Sequence, residues 1–278
     1  MAAAGGWAEP ATAERFARFC ARVAGHLGDA MARACTLNEP NVVATAGYLH
    51  GRFPPGERDA DRRRRANQVF ADAHARARAA IKEAVDVPVG LTLAMSDDQA
   101  LPGGDDALAA HRTGWEDPFL EAATGDDFIG VQTYTRHRFG PEGMADPEPG
   151  VPLTMMGYEV WPEALGATIR RAAAATGAPV LVTENGIATG DDTQRVDFVR
   201  RALESVLDCL ADGVDVRGYS YWSLLDNFEW AHGYAPTFGL VAVDRTTQAR
   251  TPKPSAAWLG GVARANALPA GTGTGPAA

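Results

Sequence analysis

Five short apolar segments, separated by helical ones, constrain the fold of this 278-residue chain more than any other feature. Strands are predicted at residues 35–37, 87–95, 126–134, 180–183 and 216–224. Amphipathic helices are predicted at 8–33, 59–83, 161–176 and 193–212, with a short helix within 96–118. Alternation of buried strands with helices is the pattern of a parallel sheet with crossover helices. The sequence therefore predicts an α/β fold of about five βα units, whereas a closed barrel needs eight.

Two of these predicted strands end in a glutamate. Glu39 follows the run 35–37 and precedes Pro40, and Glu184 closes the run 180–183. Barrel enzymes keep their reactive side chains at the C-terminal ends of such strands. A pair of carboxylates on one scaffold is the usual equipment for cleaving a glycosidic bond. An alternative remains open, in which each glutamate only caps the helix that follows it.

The charge and the cysteines exclude several classes of protein. A formal net charge of −9, without a clustered basic face, argues against nucleic-acid or anionic-membrane partners. Three widely separated cysteines, Cys20, Cys35 and Cys209, argue against a disulfide framework or a thiolate metal site, and fit a reducing cytoplasm. The first residues lack the pattern of a signal peptide, and no run of about 18 apolar residues occurs. We therefore expect a cytoplasmic protein.

Three motifs together resemble glycoside hydrolase family 1, the β-glucosidase family of retaining (β/α)8 TIM barrels. They are Thr36-Leu-Asn-Glu-Pro40, Thr183-Glu-Asn-Gly186 and Trp222-Ser-Leu-Leu-Asp-Asn-Phe-Glu-Trp230. The resemblance runs from about Gly5 to about Leu259 and implies that strands four to eight of the barrel are present. The family's first three strands have no counterpart, so the chain is expected to be truncated at its N-terminal side. Residues 1–265 would form a partial barrel domain, and the low-complexity tail 266–278 would be disordered.

The resemblance also implies roles for individual residues. Glu184 would be the nucleophile and Glu39 the general acid/base. Asn38 would bind the sugar 2-hydroxyl, and Tyr134 would hold the Glu184 carboxylate. Gln132 stands where the family usually has Asn, which moves the amide by about one methylene. The remaining sugar-binding residues implied are Trp222, Glu229 and Trp230.

The predicted function is a retaining β-glycosidase, with β-glucosidase favoured, acting on small β-glucosides or oligosaccharides without cofactor or metal. The alternative is an inactive truncated fragment or a non-catalytic sugar-binding remnant. Open sheet edges would favour aggregation or a partner, including a homo-oligomer. Simpler interpretations also stay open for the aromatic residues: Tyr134 as a rim residue, and Trp222 and Trp230 as core residues. The loops 47–57 and 136–157 are expected to select the aglycone.

Overall fold

The computed structural model describes residues 5–269, and its main feature is a parallel sheet. The strands are β1 (Ala34–Asn38), β2 (Val89–Ala100), β3 (Phe128–Gly140), β4 (Gly143–Met144), β5 (Val180–Asn185), β6 (Val216–Tyr221), β7 (Val241–Val243) and β8 (Arg250–Pro252). Strands β1, β2, β3, β5 and β6 lie side by side in that order and are all parallel. Strand β4 pairs antiparallel with the end of β3, and β7 and β8 form a separate antiparallel pair. The predicted α/β class, with parallel strands and crossover helices, is confirmed.

The helices connect these strands and cover the sheet. They are α1 (Ala11–Leu27), α2 (Pro40–Ala44), α3 (Ala60–Ala84), α4 (Asp105–Trp115), α5 (Asp117–Ala122), α6 (Ala164–Thr176), α7 (Asp192–Ala211) and α8 (Pro254–Ala265). Local chemistry sets several of their ends. The Asp59 carboxylate accepts hydrogen bonds from the first backbone N–H groups of α3, and Asp191 does the same for α7. Gly177, with φ of 67°, ends α6 in the left-handed conformation that glycine tolerates.

The main core lies between the sheet and the helices that cover it. Its centre consists of fully buried aliphatic side chains, including Leu91, Leu93, Ile129, Val131, Leu165 and Ile169. Strand pairing brings the C-terminal ends of the strands to one rim. Gln132 of β3 pairs with Glu184 of β5, and Asn38 of β1 pairs with Thr92 of β2. Residues far apart in the sequence therefore meet at this rim.

Two strands extend well beyond their predicted ends. The sequence places the ends of β2 and β3 near residues 95 and 134, but pairing continues from Asp97↔Arg136 to Ala100↔Phe139. The predicted rim loop 136–157 is therefore wrong in its first residues, which belong to β3. Conversely, β6 ends at Tyr221 rather than near 224. Of the predicted disordered tail, 266–278, all but the first four residues lie outside the described part of the chain.

The structure also shows the state of the cysteines and tests for membrane-spanning helices and metal-binding groups. Cys20 and Cys209 are buried, Cys35 is exposed, and all three are free thiols. Within residues 5–269, no helix is long and apolar enough to span a bilayer. In the same range, no three His, Cys, Asp or Glu side chains are grouped to hold a metal ion. Strands β1 and β6 are the two ends of the sheet, each paired on one side within this range.

Candidate active site

Glu184 is held by two neighbouring side chains at the end of β5. Gln132 Nε2 donates to Glu184 Oε1 at 2.6 Å, and the Tyr134 hydroxyl donates to Glu184 Oε2 at 2.6 Å. Gln132 and Tyr134 are two residues apart on β3, so their side chains leave the same face of the strand. Each carboxylate oxygen of Glu184 therefore receives a donor. Such bonds favour the charged form of a carboxylate.

Glu39 has very different surroundings. It follows β1 in the left-handed conformation, with φ 48° and ψ 53°, and Pro40 begins α2 directly after it. For a residue with a Cβ this conformation costs roughly 1–3 kcal/mol, and such strain is typical of functional positions. Among residues 5–269 the Glu39 carboxylate accepts no hydrogen bond. Burial, and then the charges of Glu184 and Glu229, raise the pKa of Glu39 to about 8.

The pKa values of the neighbouring groups show where the proton resides. Burial raises the pKa of Glu184 above its ordinary value, while the hydrogen bond from Tyr134 opposes that rise. Burial and the Glu184 charge raise the pKa of Tyr134 well above its usual range, so this phenol stays a donor. The raised pKa of Glu39 favours its protonated form at neutral pH, and Glu184, with two hydrogen-bond donors, is the better stabilised anion of the pair.

Gln132 connects the two sides of the site. Its Nε2 also donates to Asn38 Oδ1 at 2.8 Å, and Thr92 Oγ1 donates to the same oxygen at 3.2 Å. Asn38 is thereby fixed beside Glu39, with its own Nδ2 outside this network. The longer side chain of Gln132 thus spans from Asn38 to Glu184, while its buried Oε1 has no hydrogen-bond partner among the residues that the structure describes.

The third motif brings Glu229 and Trp230 to the same rim. Asn227 Nδ2 donates to Glu229 Oε2 at 2.8 Å and fixes this carboxylate. Trp230 is 69% exposed, so its interpretation as a core residue is wrong. Its ring lies 6.0 Å, centroid to centroid, from that of Phe53 in the loop after Glu39.

Trp222 is half-buried and is anchored to the strand that carries Glu184. Its backbone N–H donates to the carbonyl oxygen of Asn185 at 2.9 Å. A Cβ at position 186 would lie 2.1 Å from the Trp222 carbonyl oxygen, so only glycine fits there. Gly186 therefore permits the close approach of the Glu184 strand and the Trp222 segment.

The sequence and structure of the chain were compared with those of known proteins. The family model described as Glycosyl hydrolase family 1 matches residues 1–116 and 123–268. The chain belongs to glycosyl hydrolase family 1. Beta-glucosidase A of Thermotoga maritima is 31% identical to it over 313 aligned positions, which cover 95% of this chain and 70% of that protein. A beta-galactosidase of Saccharolobus solfataricus is 34% identical, with 90% of this chain and 59% of that protein covered.

Solved structures agree with this family assignment. A crystal structure of a beta-glycosidase superposes with a TM-score of 0.87 at 46% identity and covers 99% of this chain and 71% of that one. The family 1 b-glucosidase of Thermotoga maritima superposes with a TM-score of 0.87 at 30% identity, with 95% and 70% covered. The parallel sheet and its helices thus correspond to part of the TIM barrel of these glycoside hydrolases.

Some residues of this family 1 site could not be identified from the sequence. Tyr158 is one: its ring is partly exposed, and desolvation, followed by the charges of Glu229 and Glu39, raises the pKa of its phenol. It lies in the loop between β4 and α6, where no motif marks it. Asn227, by contrast, lies inside the third motif, and its amide next to Glu229 could have been identified there.

Proposed function

We propose that this family 1 chain is a retaining β-glycosidase, with Glu184 as the nucleophile and Glu39 as the general acid/base. The observation that carries the proposal is the contrast between the two carboxylates. Glu184 accepts two hydrogen bonds that favour its anion, whereas Glu39 has a pKa near 8, set by burial and neighbouring charges. Retaining glycosidases need this division between an ionised nucleophile and a protonated acid.

The first step forms a glycosyl-enzyme. A Glu184 oxygen attacks the anomeric carbon while the bond from that carbon to the aglycone oxygen breaks, and Glu39 gives its proton to the departing oxygen. Esterification removes the negative charge of Glu184. Since that charge is one cause of the raised pKa of Glu39, the pKa of Glu39 falls and the residue remains ionised.

The second step reverses these roles. Ionised Glu39 takes a proton from a water molecule, whose oxygen attacks the anomeric carbon and displaces the Glu184 carboxylate. Two inversions at one carbon give net retention. Both steps use only carboxylates of this chain and water.

Sugar binding is assigned to the polar and aromatic groups around the pair. Asn38 and Gln132 would contact the hydroxyl next to the anomeric carbon, because their amides are hydrogen-bonded to each other and Gln132 is also hydrogen-bonded to Glu184. The rest of the sugar ring would be bound by the aromatic faces of Trp222 and Trp230 and by the carboxylate of Glu229, which Asn227 fixes. Relatives named beta-glucosidase and beta-galactosidase support a β-hexoside as the substrate, and we propose a β-glucoside.

The three free cysteines support a cytoplasmic location.

Hydrolysis of 4-nitrophenyl β-glucoside by the purified 278-residue chain tests the proposal, with Glu184→Ala as the control. We expect turnover by the chain and a loss of more than about 10⁴-fold in the variant, because a nucleophile cannot be replaced by a methyl group. A folded chain that binds glucose calorimetrically but does not hydrolyse this glucoside would favour the alternative, a non-catalytic sugar-binding protein.

A further inference from the structure

The chain is held to strand β2 both at Glu39 and two residues after it. The backbone N–H of Glu39 donates to the Thr92 carbonyl oxygen at 3.1 Å. Two residues further along each segment, Asn41 Nδ2 donates to the Ala94 carbonyl oxygen at 2.7 Å. Carbonyl groups of alternate residues in a strand point to the same side, so both bonds reach the edge of β2 that pairs with β1. Glu39 and Asn41 are thus anchored to one edge of one strand.

The Asn41 amide takes the place of a strand partner. Pairing of β1 with β2 ends at Asn38↔Thr92, and Pro40 begins α2 two residues after Asn38. The chain of β1 therefore turns away before its backbone could supply a donor to the Ala94 carbonyl oxygen. Backbone carbonyl groups inside a fold are nearly always paired, and here the side chain of Asn41 supplies the donor.

The surroundings of Asn41 show that its amide does more than fill space. Asn41 is 0% exposed, and its buried Oδ1 has no hydrogen-bond partner among the described residues. An unpaired buried oxygen is unfavourable, and an apolar side chain of the same size would avoid it. The bond to Ala94 is therefore the feature that distinguishes asparagine from an apolar residue at this position.

The backbone conformation of Glu39 needs such anchors. It is left-handed, with φ 48° and ψ 53°, and a conformation of this kind persists only where surrounding contacts impose it. The Glu39 carboxylate accepts no hydrogen bond from the first turn of α2, so its side chain does not hold the turn as a helix cap. The turn is held instead by the Glu39 backbone bond to Thr92 and by the side-chain bond of Asn41 beyond it.

The same part of β2 is connected to the other carboxylate of the site. Ala94 pairs with Gln132 of β3, whose amide donates to Glu184 at 2.6 Å. A continuous set of contacts through Asn41, Ala94 and Gln132 therefore joins the helix that follows Glu39 to the Glu184 carboxylate. A retaining glycosidase depends on the separation of its two carboxylates, so these contacts bear directly on the reaction.

We propose that Asn41 is the positioning residue for the acid/base Glu39. It holds α2 against β2 and so fixes the turn from which the Glu39 carboxyl reaches the departing oxygen. Because Asn41 is fully buried, it does not contact the substrate itself. The inference rests on the proposed function and adds a residue outside the three motifs. Loss of the bond releases the turn, and misplacement of a reacting group by about 1 Å can cost roughly 10²-fold in rate.

Asn41→Leu tests this role, because leucine has a similar size and cannot donate a hydrogen bond. Methyl β-glucoside has a leaving oxygen that needs a proton, and we expect its kcat/KM to fall roughly 10–100-fold. The kcat/KM of dinitrophenyl β-glucoside should fall less than about threefold, because its aryloxide leaves without protonation. A loss that only reflected a smaller folded fraction would be equal on both substrates.

Asn67→Leu is the matched control. Asn67 is also buried, donates to a backbone carbonyl oxygen, that of Gly114 in α4, and has a buried Oδ1 without a partner in the described part of the chain. It makes none of the contacts of the active site described above. Its replacement should therefore change the two glucosides by the same factor.

A double variant shows whether Asn41 acts through Glu39. If it does, Asn41→Leu should cost no further activity on methyl β-glucoside in the Glu39→Ala background, whereas independent effects would multiply. Equal losses on both glucosides in Asn41→Leu, no loss on either, or multiplied losses in the double variant would overturn the inference. Turnover of dinitrophenyl β-glucoside shows that Asn41→Leu is folded. If it is not, Asn41→Ser, whose hydroxyl is one bond short of the amide nitrogen, makes the same comparison.

The same two substrates separate this inference from the proposed function. A wild-type chain that hydrolyses neither glucoside would contradict the proposed function and the inference together. Equal losses on both glucosides in Glu39→Ala would remove Glu39 as the acid, and the inference with it. If Glu39→Ala discriminates between the two glucosides and Asn41→Leu does not, the proposed function stands and only the positioning role fails.

Discussion

The two strand-end glutamates are the same residue type in opposite surroundings. Glu184 lies inside the sheet, between strands that supply Gln132 and Tyr134 as donors. Glu39 follows β1 at one end of the sheet, in a left-handed conformation, and burial, followed by neighbouring negative charges, raises its pKa and disfavours its anion. The comparison teaches that two carboxylates at equivalent strand ends can differ in which form, charged or protonated, their neighbours favour; the proposed roles of nucleophile and acid rest on that difference.

Among the kinetic tests of this comparison, we expect the largest effect from Glu39→Ala. We expect losses of roughly 10²–10⁴-fold on alkyl β-glucosides, because their leaving oxygens need a proton. The rate of glycosyl-enzyme formation from dinitrophenyl β-glucoside should fall far less, since its aryloxide leaves without protonation. The measurement is kcat/KM against leaving-group pKa, and a loss independent of the leaving group would remove Glu39 from the acid role.

Tyr134→Phe sharpens the comparison from the Glu184 side. It removes one of the two donors, and a hydrogen bond to a charged group corresponds to roughly 10–100-fold in kcat/KM. The Tyr134 hydroxyl lowers the pKa of Glu184, so its removal raises that pKa and moves the acidic limb of the pH profile to higher pH. Tyr234→Phe, at an exposed ring of the rim, is the matched control. An unmoved acidic limb would contradict the assigned contact.

Gln132→Asn tests the bridge between the two sides. The shorter side chain cannot reach both Asn38 and Glu184. We expect the neutral hydrogen bond to Asn38 to be lost and the bond to the Glu184 carboxylate to be kept, a loss of about 1 kcal/mol, or roughly fivefold in kcat/KM. Rates on 2-deoxyglucosides should change less, because the neighbouring hydroxyl is missing there. A larger loss on 2-deoxyglucosides than on glucosides would place Gln132 elsewhere.

We expect the smallest effect from Glu229→Gln, as a shift in the alkaline limb of the pH–activity profile. If Glu39 is the acid, we expect activity to fall as the pH rises through about 8, where Glu39 loses its proton. Since the Glu229 charge raises that pKa, its removal moves the limb to lower pH. Glu204→Gln, on the exposed face of α7, should leave the limb in place. A shift to higher pH would contradict the electrostatic account.

The sequence was most informative for features that depend on a few consecutive residues. Strand-end carboxylates follow directly from an apolar run that stops at a turn, so Glu39 and Glu184 could be identified without a structure. The resemblance also brought Tyr134 and Glu229 into the same predicted site: the Tyr134 hydroxyl donates to Glu184, and the Glu229 charge contributes to the raised pKa of Glu39. Their roles remain proposals that the experiments above address.

The remaining features depend on contacts between distant segments. Residues 97–99 and 136–138 are polar and lie beyond the predicted strand ends, but pairing between the two strands keeps them extended. The loop residue Tyr158 precedes Glu159, whose carboxylate pairs with Arg136 of β3, a contact between residues 23 positions apart in the sequence. Neither effect leaves a periodic pattern in a single sequence.

Azide rescue tests the central claim most directly, namely that Glu184 and Glu39 have different roles. Each alanine variant would be incubated with dinitrophenyl β-glucoside and azide, and the anomer of the glucosyl azide identified by NMR. In Glu184→Ala, azide takes the place of the nucleophile and should give the α-azide. In Glu39→Ala, azide attacks the glycosyl-enzyme in place of water and should give the β-azide. Reversed products, or the same anomer from both variants, would contradict the account.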